Sequence, residues 1–302
     1  MGTLIKTVSV VMPRISLLPW NSIKMTARAA SRCLENAGIN PSDLGLLINT
    51  GIYRYRNTGE PAIAALVLKA IRARKRRKKA LENPAGTFSF DLNNGGCGLL
   101  TGIEIIHTMM NNDEISYGMV VTGDSEPFYG LSEKFDFSTA AAAIILSKSN
   151  DFSGFKMFRT YNYPEYSGEF SSCTSFSRKG VNGKRKNVLR IMQKSTYTDS
   201  CVKCAVKSLY EFLDESGKRL DEIDLIISSQ SPGGFINGMK NYIGNGNKII
   251  LPEGKGKKVL HTAGPAFALK KAFNENRFMN SGNIIFLTVG SGISVSITLY
   301  TN

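Results

Sequence analysis

The chain has 302 residues, 42% of them hydrophobic, and a formal net charge of +14 at pH 7. That length and apolar content supply one large core or two medium ones without covalent staples, and five cysteines, an odd number without framework spacing, exclude a disulfide scaffold. No apolar run approaches the ~20 residues needed to cross a bilayer, and the alternating start MGTLIKTVSVVMP does not read as a cleavable signal; a soluble, cytoplasmic protein with free thiols is expected.

From the N-terminus, TVSVVM (7–12) reads as strand, residues 21–38 as helix and LGLLINTGI (44–52) as a buried strand. A helix is expected from about Glu60, then strand FSFDL (88–92), a helix behind Cys97, and strands YGMVVTGD (117–124) and AAAAIILS (140–147). Residues 151–186, rich in Ser, Tyr, Phe and Gly with little periodicity, read as loop packed over a cleft. The pattern resumes with a helix from Asp199 to Ser216, strand LDEIDLIISSQ (220–230), a short NKIIL (247–251), a helix from Pro265 to Phe273, and strands NIIFLTVG (283–290) and ISVSITLY (293–300). Such alternation implies α/β layers around mostly buried strands.

CLENAGINPSDLGLLINTG (33–51) and FLDESGKRLDEIDLIISSQ (212–230) share a helix end, a glycine, a short acidic turn and an apolar strand. Leu46 and Leu225 each fall eight residues after the glycine, Gly38 or Gly217. Each glycine is expected to stop its helix in the left-handed conformation, and the repeated unit indicates internal duplication. The expected division is an N-terminal half, 1–150, a connecting segment, 151–186, and a C-terminal half, 187–302.

Much of the positive charge sits in RARKRRKK (72–79), after a helical pattern. It reads as a solvated helix end or as a dock for an acidic protein or phosphate-bearing ligand; without interleaved aromatics or a known module it does not read as a nucleic-acid site. Cys201 and Cys204 form a CxxC inside a continuous helical pattern, with neither a second pair nor a nearby histidine, so they read as core residues and no metal site is expected. GNGNKIILPEGKGKK lacks the spacing of a nucleotide-binding loop.

SFDLNNGGCGLLTG (89–102) runs a strand through small residues into a helix with one cysteine at the turn. At a helix N-terminus, free backbone N–H groups and the positive dipole end favour a thiolate, so Cys97 is expected to have a thiol pKa below the free value of about 8.5 and to act as nucleophile. The alternative is a small buried cysteine filling space beside glycines. His107 lies ten residues further along the same predicted helix, about 15 Å on, which leaves it a surface or packing role. VGSGI (289–293) reads as a hairpin turn, and Glu60, just before Pro61, as favourable charge at a helix start.

The segment SFDLNNGGCGLLTGIEI resembles the nucleophile segment of ketoacyl-ACP synthase III and its thiolase-superfamily relatives, where a strand ending in Phe-Asp leads to small residues, the active cysteine, a glycine and a helix. AGINPSDLGLLINTG, YGMVVTGDSEP, AAAAIILS and VGSGISVSITLY resemble further segments of that family, in its order and spacing. The resemblance implies a thiolase-like α/β fold of two pseudo-symmetric halves with mixed five-stranded sheets. It also implies a homodimer and a CoA or acyl-carrier-protein thioester as substrate, with no permanently bound cofactor.

In the family the cysteine works with a histidine in a His-Gln-Ala-Asn stretch and an asparagine in a Gly-Asn-Thr-Ser stretch. Here SSQSP (228–232) puts Ser229 or a neighbour where the histidine is expected, and LHTAGP (260–265) puts His261 at or next to the asparagine position. His261 is therefore the expected base, an ordinary loop histidine being the alternative. The resemblance implies an oxyanion hole from the backbone N–H of Cys97 and of Ser291 or Gly292, and Glu60 matches a glutamate that enters a neighbouring subunit's site in some relatives. Arg72, Arg74, Arg76 and Arg77 would hold the carrier protein or CoA. The expected activity is acyl transfer or ketoacyl-synthase-type condensation through acyl-Cys97, in polyketide or fatty-acid-derived secondary metabolism. The alternative is a non-catalytic thiolase-fold subunit partnering an active paralogue.

Overall fold

Two sheets of the same strand order, their central strands buried on both faces, organise the chain in a computed structural model that describes residues 2–13, 20–75, 86–128, 130–149, 151, 153–177, 186–244, 246–252 and 258–302. The first contains β1 (Gly2–Val11), β6 (Ala140–Ser149), β4 (Tyr117–Asp124), β2 (Leu46–Asn49) and β3 (Phe88–Asp91), in that spatial order. The second contains β7 (Gly154–Asn162), β12 (Ser294–Thr301), β11 (Asn283–Gly290) and β10 (Leu225–Ser228). In both, the first two pairings are antiparallel and the next is parallel. The fifth position of the second sheet, expected as a strand, is a single parallel bridge between Ile226 and Ile249, with Ile250 N–H donating to Ile226 O at 3.1 Å. Pro252 follows, and proline has no N–H with which to extend a ladder.

The duplicated segments superpose in hydrogen bonding as well as in sequence. Helices α1 (Ser22–Ala37) and α4 (Tyr197–Glu215) both run into a left-handed glycine, Gly38 at φ 68° and Gly217 at φ 63°. Past the glycine, Ile39 N–H returns to Leu34 O and Lys218 N–H to Leu213 O, satisfying carbonyls that the helix leaves open. A 3₁₀ turn follows in each half, Pro41–Asp43 and Leu220–Glu222, and its acidic third residue accepts the N–H of Asn40 or Arg219. The strands β2 and β10 begin three residues later.

Alternate residues of each strand feed different cores, as a period of two requires. Leu47, Met119 and Val121 pack with α1 and α2 (Ile63–Lys75), while Leu46, Ile48 and Val120 face α3 (Gly98–Asn111) and α6 (Gly264–Asn274). From the second sheet Ile284 and Phe286 join that middle layer, and Ile285 and Leu287 pack with α4 and α5 (Phe235–Ile243). The result is five layers, with α3 and α6 between the sheets.

Three expectations are corrected. The described residues of 151–186 are not one loop: β7 lies beside β12, and β8 (Phe170–Ser177) pairs antiparallel with β9 (Lys186–Gln193), next to β5 (Ser132–Glu133). Ser171 to Thr174 of β8 are exposed, so no buried face imposed an alternating pattern there. Helix α5 was not expected at all, because it opens after Gly233 and Gly234 and contains Gly238, all poor helix formers. A Cβ on Gly238 would lie 2.5 Å from Val202, and this close α4–α5 packing is what supports the helix. Finally, α2 starts at Ile63 rather than Glu60, where Asp91 accepts the Ile63 and Ala64 N–H groups at 2.9 and 2.8 Å.

Candidate active site

Beyond β3 the chain turns through a 3₁₀ segment, Gly95–Cys97, directly into α3. The turn is pressed against the end of β11: a Cβ on Gly96 would lie 2.1 Å from Val289 O, so only glycine fits. The first side chain able to leave the turn is Cys97, and it points inward. Its Sγ donates to Ser294 O at 3.4 Å and Thr288 O at 3.6 Å, and the residue has no exposed surface. Burial pushes the thiol pKa up, opposite to the lowering expected from the helix N-terminus. Desolvation of a thiolate outweighs the dipole when no water reaches the sulfur. The Cys97 N–H also closes the 3₁₀ turn by donating to Asn94 O at 3.0 Å, so it is not the free oxyanion donor expected from the resemblance.

The residues facing the cleft are Gly95 and Gly96. They line a chamber of about 180 Å³ together with Gly290, Ser291, Tyr53, Tyr197, Ser231 and His261. A larger cavity of about 350 Å³ shares Ile52, Tyr53, Asn93 and Ser172 with it. Of the two expected donors in the 289–293 turn, Ser291 lines the chamber, whereas Gly292, at φ 108°, does not.

His261 enters the chamber from the turn before α6, with about a tenth of its side chain exposed. Its ring packs against Tyr53, at 4.9 Å between centroids, and Phe137, at 4.7 Å, two rings that stack on each other. Nδ1 is buried and lies 3.5 Å from Asp124 Oδ2. Asp124, the last residue of β4, accepts the N–H groups of Ile52 and Tyr53 at 2.9 and 2.8 Å on Oδ1, and the N–H and hydroxyl of Thr262 at 3.0 and 2.5 Å on Oδ2. Burial works to raise its pKa, but the His261 ring and the bonds from Thr262 and Tyr53 prevail and hold it below the ordinary carboxylate value. No motif in the sequence marks Tyr53, Tyr197 or Ser231 as chamber residues. For Asp124 the available signal was an ionisable residue closing the apolar strand YGMVVTG.

Ser229 is buried behind the chamber, its hydroxyl accepting Val289 N–H at 3.2 Å. Two residues on, Ser231 reaches the chamber instead, and between them Gln230 Oε1 accepts Leu260 N–H at 2.6 Å, joining this turn to that of His261. Glu60 is exposed and lines neither cavity, although its neighbours Thr58 and Gly59 line the larger one. Arg54 pairs with Asp91 at 2.9 Å, and the Arg56 guanidinium lies over Tyr55 and Phe128. His107 contacts Thr3 Oγ1 at 2.9 Å and Asn111 at 3.0 Å, a packing role on α3. Cys201 and Cys204 are buried on α4, and among the described residues no group of His, Cys, Asp and Glu could hold a metal ion. Arg72 donates to Thr87 Oγ1 at 2.8 Å and Arg74 lies in the last turn of α2, while Arg76 and Arg77 lie outside the described residues.

No protein-family model and no curated protein matches the sequence. Solved structures match along its whole length. The 3-oxoacyl-(acyl-carrier-protein) synthase III of Aquifex aeolicus VF5 is 17% identical, with a TM-score of 0.79 and 100% of both chains covered. That of Pseudomonas aeruginosa PAO1 is 15% identical, with a TM-score of 0.81, over 100% of this chain and 98% of that one. A Cys-to-Ser variant of Xanthomonas campestris OleA with bound lauric acid and lauroyl-CoA is 17% identical, with a TM-score of 0.79, over 100% and 99%. The chain therefore has the thiolase-like fold that the resemblance implied, and at these identities the likeness is one of fold. Among the described residues no helix is long and apolar enough to cross a membrane.

Proposed function

We propose that the chain is a thioester-dependent acyltransferase of the ketoacyl synthase III type, with the acyl thioester seated in the 180 Å³ chamber and His261 as the proton-transfer group. The observation that carries this reading is the chamber itself, lined both by the glycine-rich backbone at Gly95, Gly96, Gly290 and Ser291 and by a nearly buried histidine. Backbone N–H groups of Gly96 and Ser291 are the donors for the thioester carbonyl as it becomes an oxyanion. His261 takes the proton of the attacking acceptor, the acceptor bonds to the acyl carbon, the C–S bond breaks, and the proton passes to the departing thiolate. The burial and raised pKa of Cys97 favour direct transfer to the acceptor over an acyl-Cys97 intermediate. CoA or an acyl carrier protein supplies the thioester, and the lauroyl-CoA held by the OleA variant of the same fold supports the former.

The same burial supports a second reading, a non-catalytic thiolase-fold subunit that binds acyl groups beside an active paralogue. Intact-protein mass spectrometry and product analysis with a panel of acyl-CoAs and acyl carrier proteins, run on the wild type, Cys97→Ala and His261→Ala, separate the readings. Direct transfer predicts turnover without a covalent adduct, retained in Cys97→Ala and lost in His261→Ala. An adduct that disappears in Cys97→Ala restores the acyl-cysteine route, and binding without turnover by any variant selects the subunit.

A further inference from the structure

We propose that Asp124 is a positioning residue for His261, holding the imidazole with its proton on Nδ1 and its Nε2 lone pair toward the chamber. The inference deepens the acyl-transfer reading and rests on it for the use to which Nε2 is put. The placement of the proton rests on geometry alone.

Asp124 Oδ2 is the polar atom facing His261 Nδ1, which is buried and has no other polar partner among the described residues. At 3.5 Å the contact is an electrostatic one rather than a short hydrogen bond, and it still decides the tautomer. A carboxylate oxygen opposite a ring nitrogen favours N–H there and disfavours a lone pair. The other groups facing the ring reinforce this. Phe137 and Tyr53 cover it with carbon, and burial pushes the Tyr53 phenol pKa up, leaving no competing charge on that side. Oδ2 also holds the N–H and hydroxyl of Thr262, the residue after His261, while Oδ1 holds Ile52 and Tyr53. One carboxylate thus ties together the end of β4, the strand exit that carries Tyr53 and the turn that carries His261. All four donors require an acceptor, which explains why an ionised group is kept in a fully buried position.

Asp124→Asn separates positioning from mere support. The amide oxygen can still accept from Ile52 and Tyr53, but the NH₂ then faces Thr262 N–H and His261 Nδ1. Facing a donor, Nδ1 becomes the acceptor and the ring proton moves to Nε2, where it blocks the base.

The chain has two histidines, His107 and His261, so ¹⁵N-histidine NMR resolves both rings, with His107→Gln giving the assignment. In wild type near pH ~8, where imidazoles are largely neutral, His261 should show a protonated Nδ1 and a pyridine-type Nε2. In Asp124→Asn the pattern should invert and acyl transfer should fall on the order of 10²-fold or more, whereas Thr262→Val, which keeps the carboxylate, should leave the wild-type tautomer. A wild-type His261 protonated on Nε2 overturns the proposal, as does a folded Asp124→Asn with an unchanged tautomer. If Asp124→Asn does not fold, the wild-type spectrum alone decides. The tautomer is read without substrate, so its failure is distinguishable from an absence of acyl transfer.

Discussion

Cys97 shows how one residue's chemistry depends on a shift of one position along a turn. A cysteine on the crest of a strand-to-helix turn would meet solvent and a helix dipole. One residue later it meets the carbonyls of Thr288 and Ser294. Alkylation should follow exposure rather than helix position, so iodoacetamide at neutral pH should label Cys173, exposed on β8, well before Cys97. Peptide mapping of the partly labelled native protein checks this. Cys97 labelled first would mean that the thiol reaches the chamber, and would favour the acyl-cysteine route.

Elements here are joined by side chains whose partners lie far away in sequence, and Asp91 of β3 is the clearest case. It accepts the first N–H groups of α2, a hydrogen bond from Asn49 and the ion pair of Arg54. The pair is largely buried, so solvent screens it little. Asp91→Ala should cost about 1–3 kcal/mol through the lost helix cap and the lost Arg54 ion pair, read as a lower denaturant midpoint at unchanged slope. Asp91→Asn, which keeps acceptor capacity, should lose less. A midpoint unmoved in Asp91→Ala would mean that water replaces both partners at no cost.

At the scale of the whole molecule, buried acids that ionise only when alkaline set one limit on stability. Burial raises Cys33 and Cys201 from 9.0 to about 12, and Tyr300 from 10.0 to about 12. A group whose folded pKa exceeds its unfolded value stabilises fully below the unfolded value and loses that contribution as pH climbs toward the folded one. Unfolding midpoints should therefore hold up to about pH 9 and fall between about pH 9 and 12, less steeply in Cys33→Ala; an equal slope in that variant would count against the assignment. Net charge of +14 acts at the same scale, on association. Charge reversal at Arg76 and Arg77 should raise the apparent KM for an acidic carrier protein with little change in kcat, and the difference should shrink with salt. A salt-independent loss, or a loss of nucleic-acid binding alone, would count against carrier docking.

The sequence by itself determined the layered α/β architecture, the duplication and the glycine turn, because these depend on local signals. Two-residue alternation, helix-stopping Gly38 and Gly217, and a run of small residues between strand and helix act within a few positions of where they are written. His107 could likewise be set apart from the turn by helix geometry alone. The direction in which Cys97 points was decided only in three dimensions, by the proximity of Val289 from the other half of the chain. So were the replacement of Ser229 by Ser231 at the chamber and the arrival of Asp124 beside His261, 137 residues apart in the numbering. Burial and pairing are properties of the neighbours that folding brings together, and no local pattern encodes which neighbour will lie across a turn. The β8–β9 pair escaped because β8 is exposed over Ser171 to Thr174 and carries no buried alternation, and α5 because its glycines mask an apolar face of Phe235, Ile236, Met239 and Ile243 that only packing on α4 reveals.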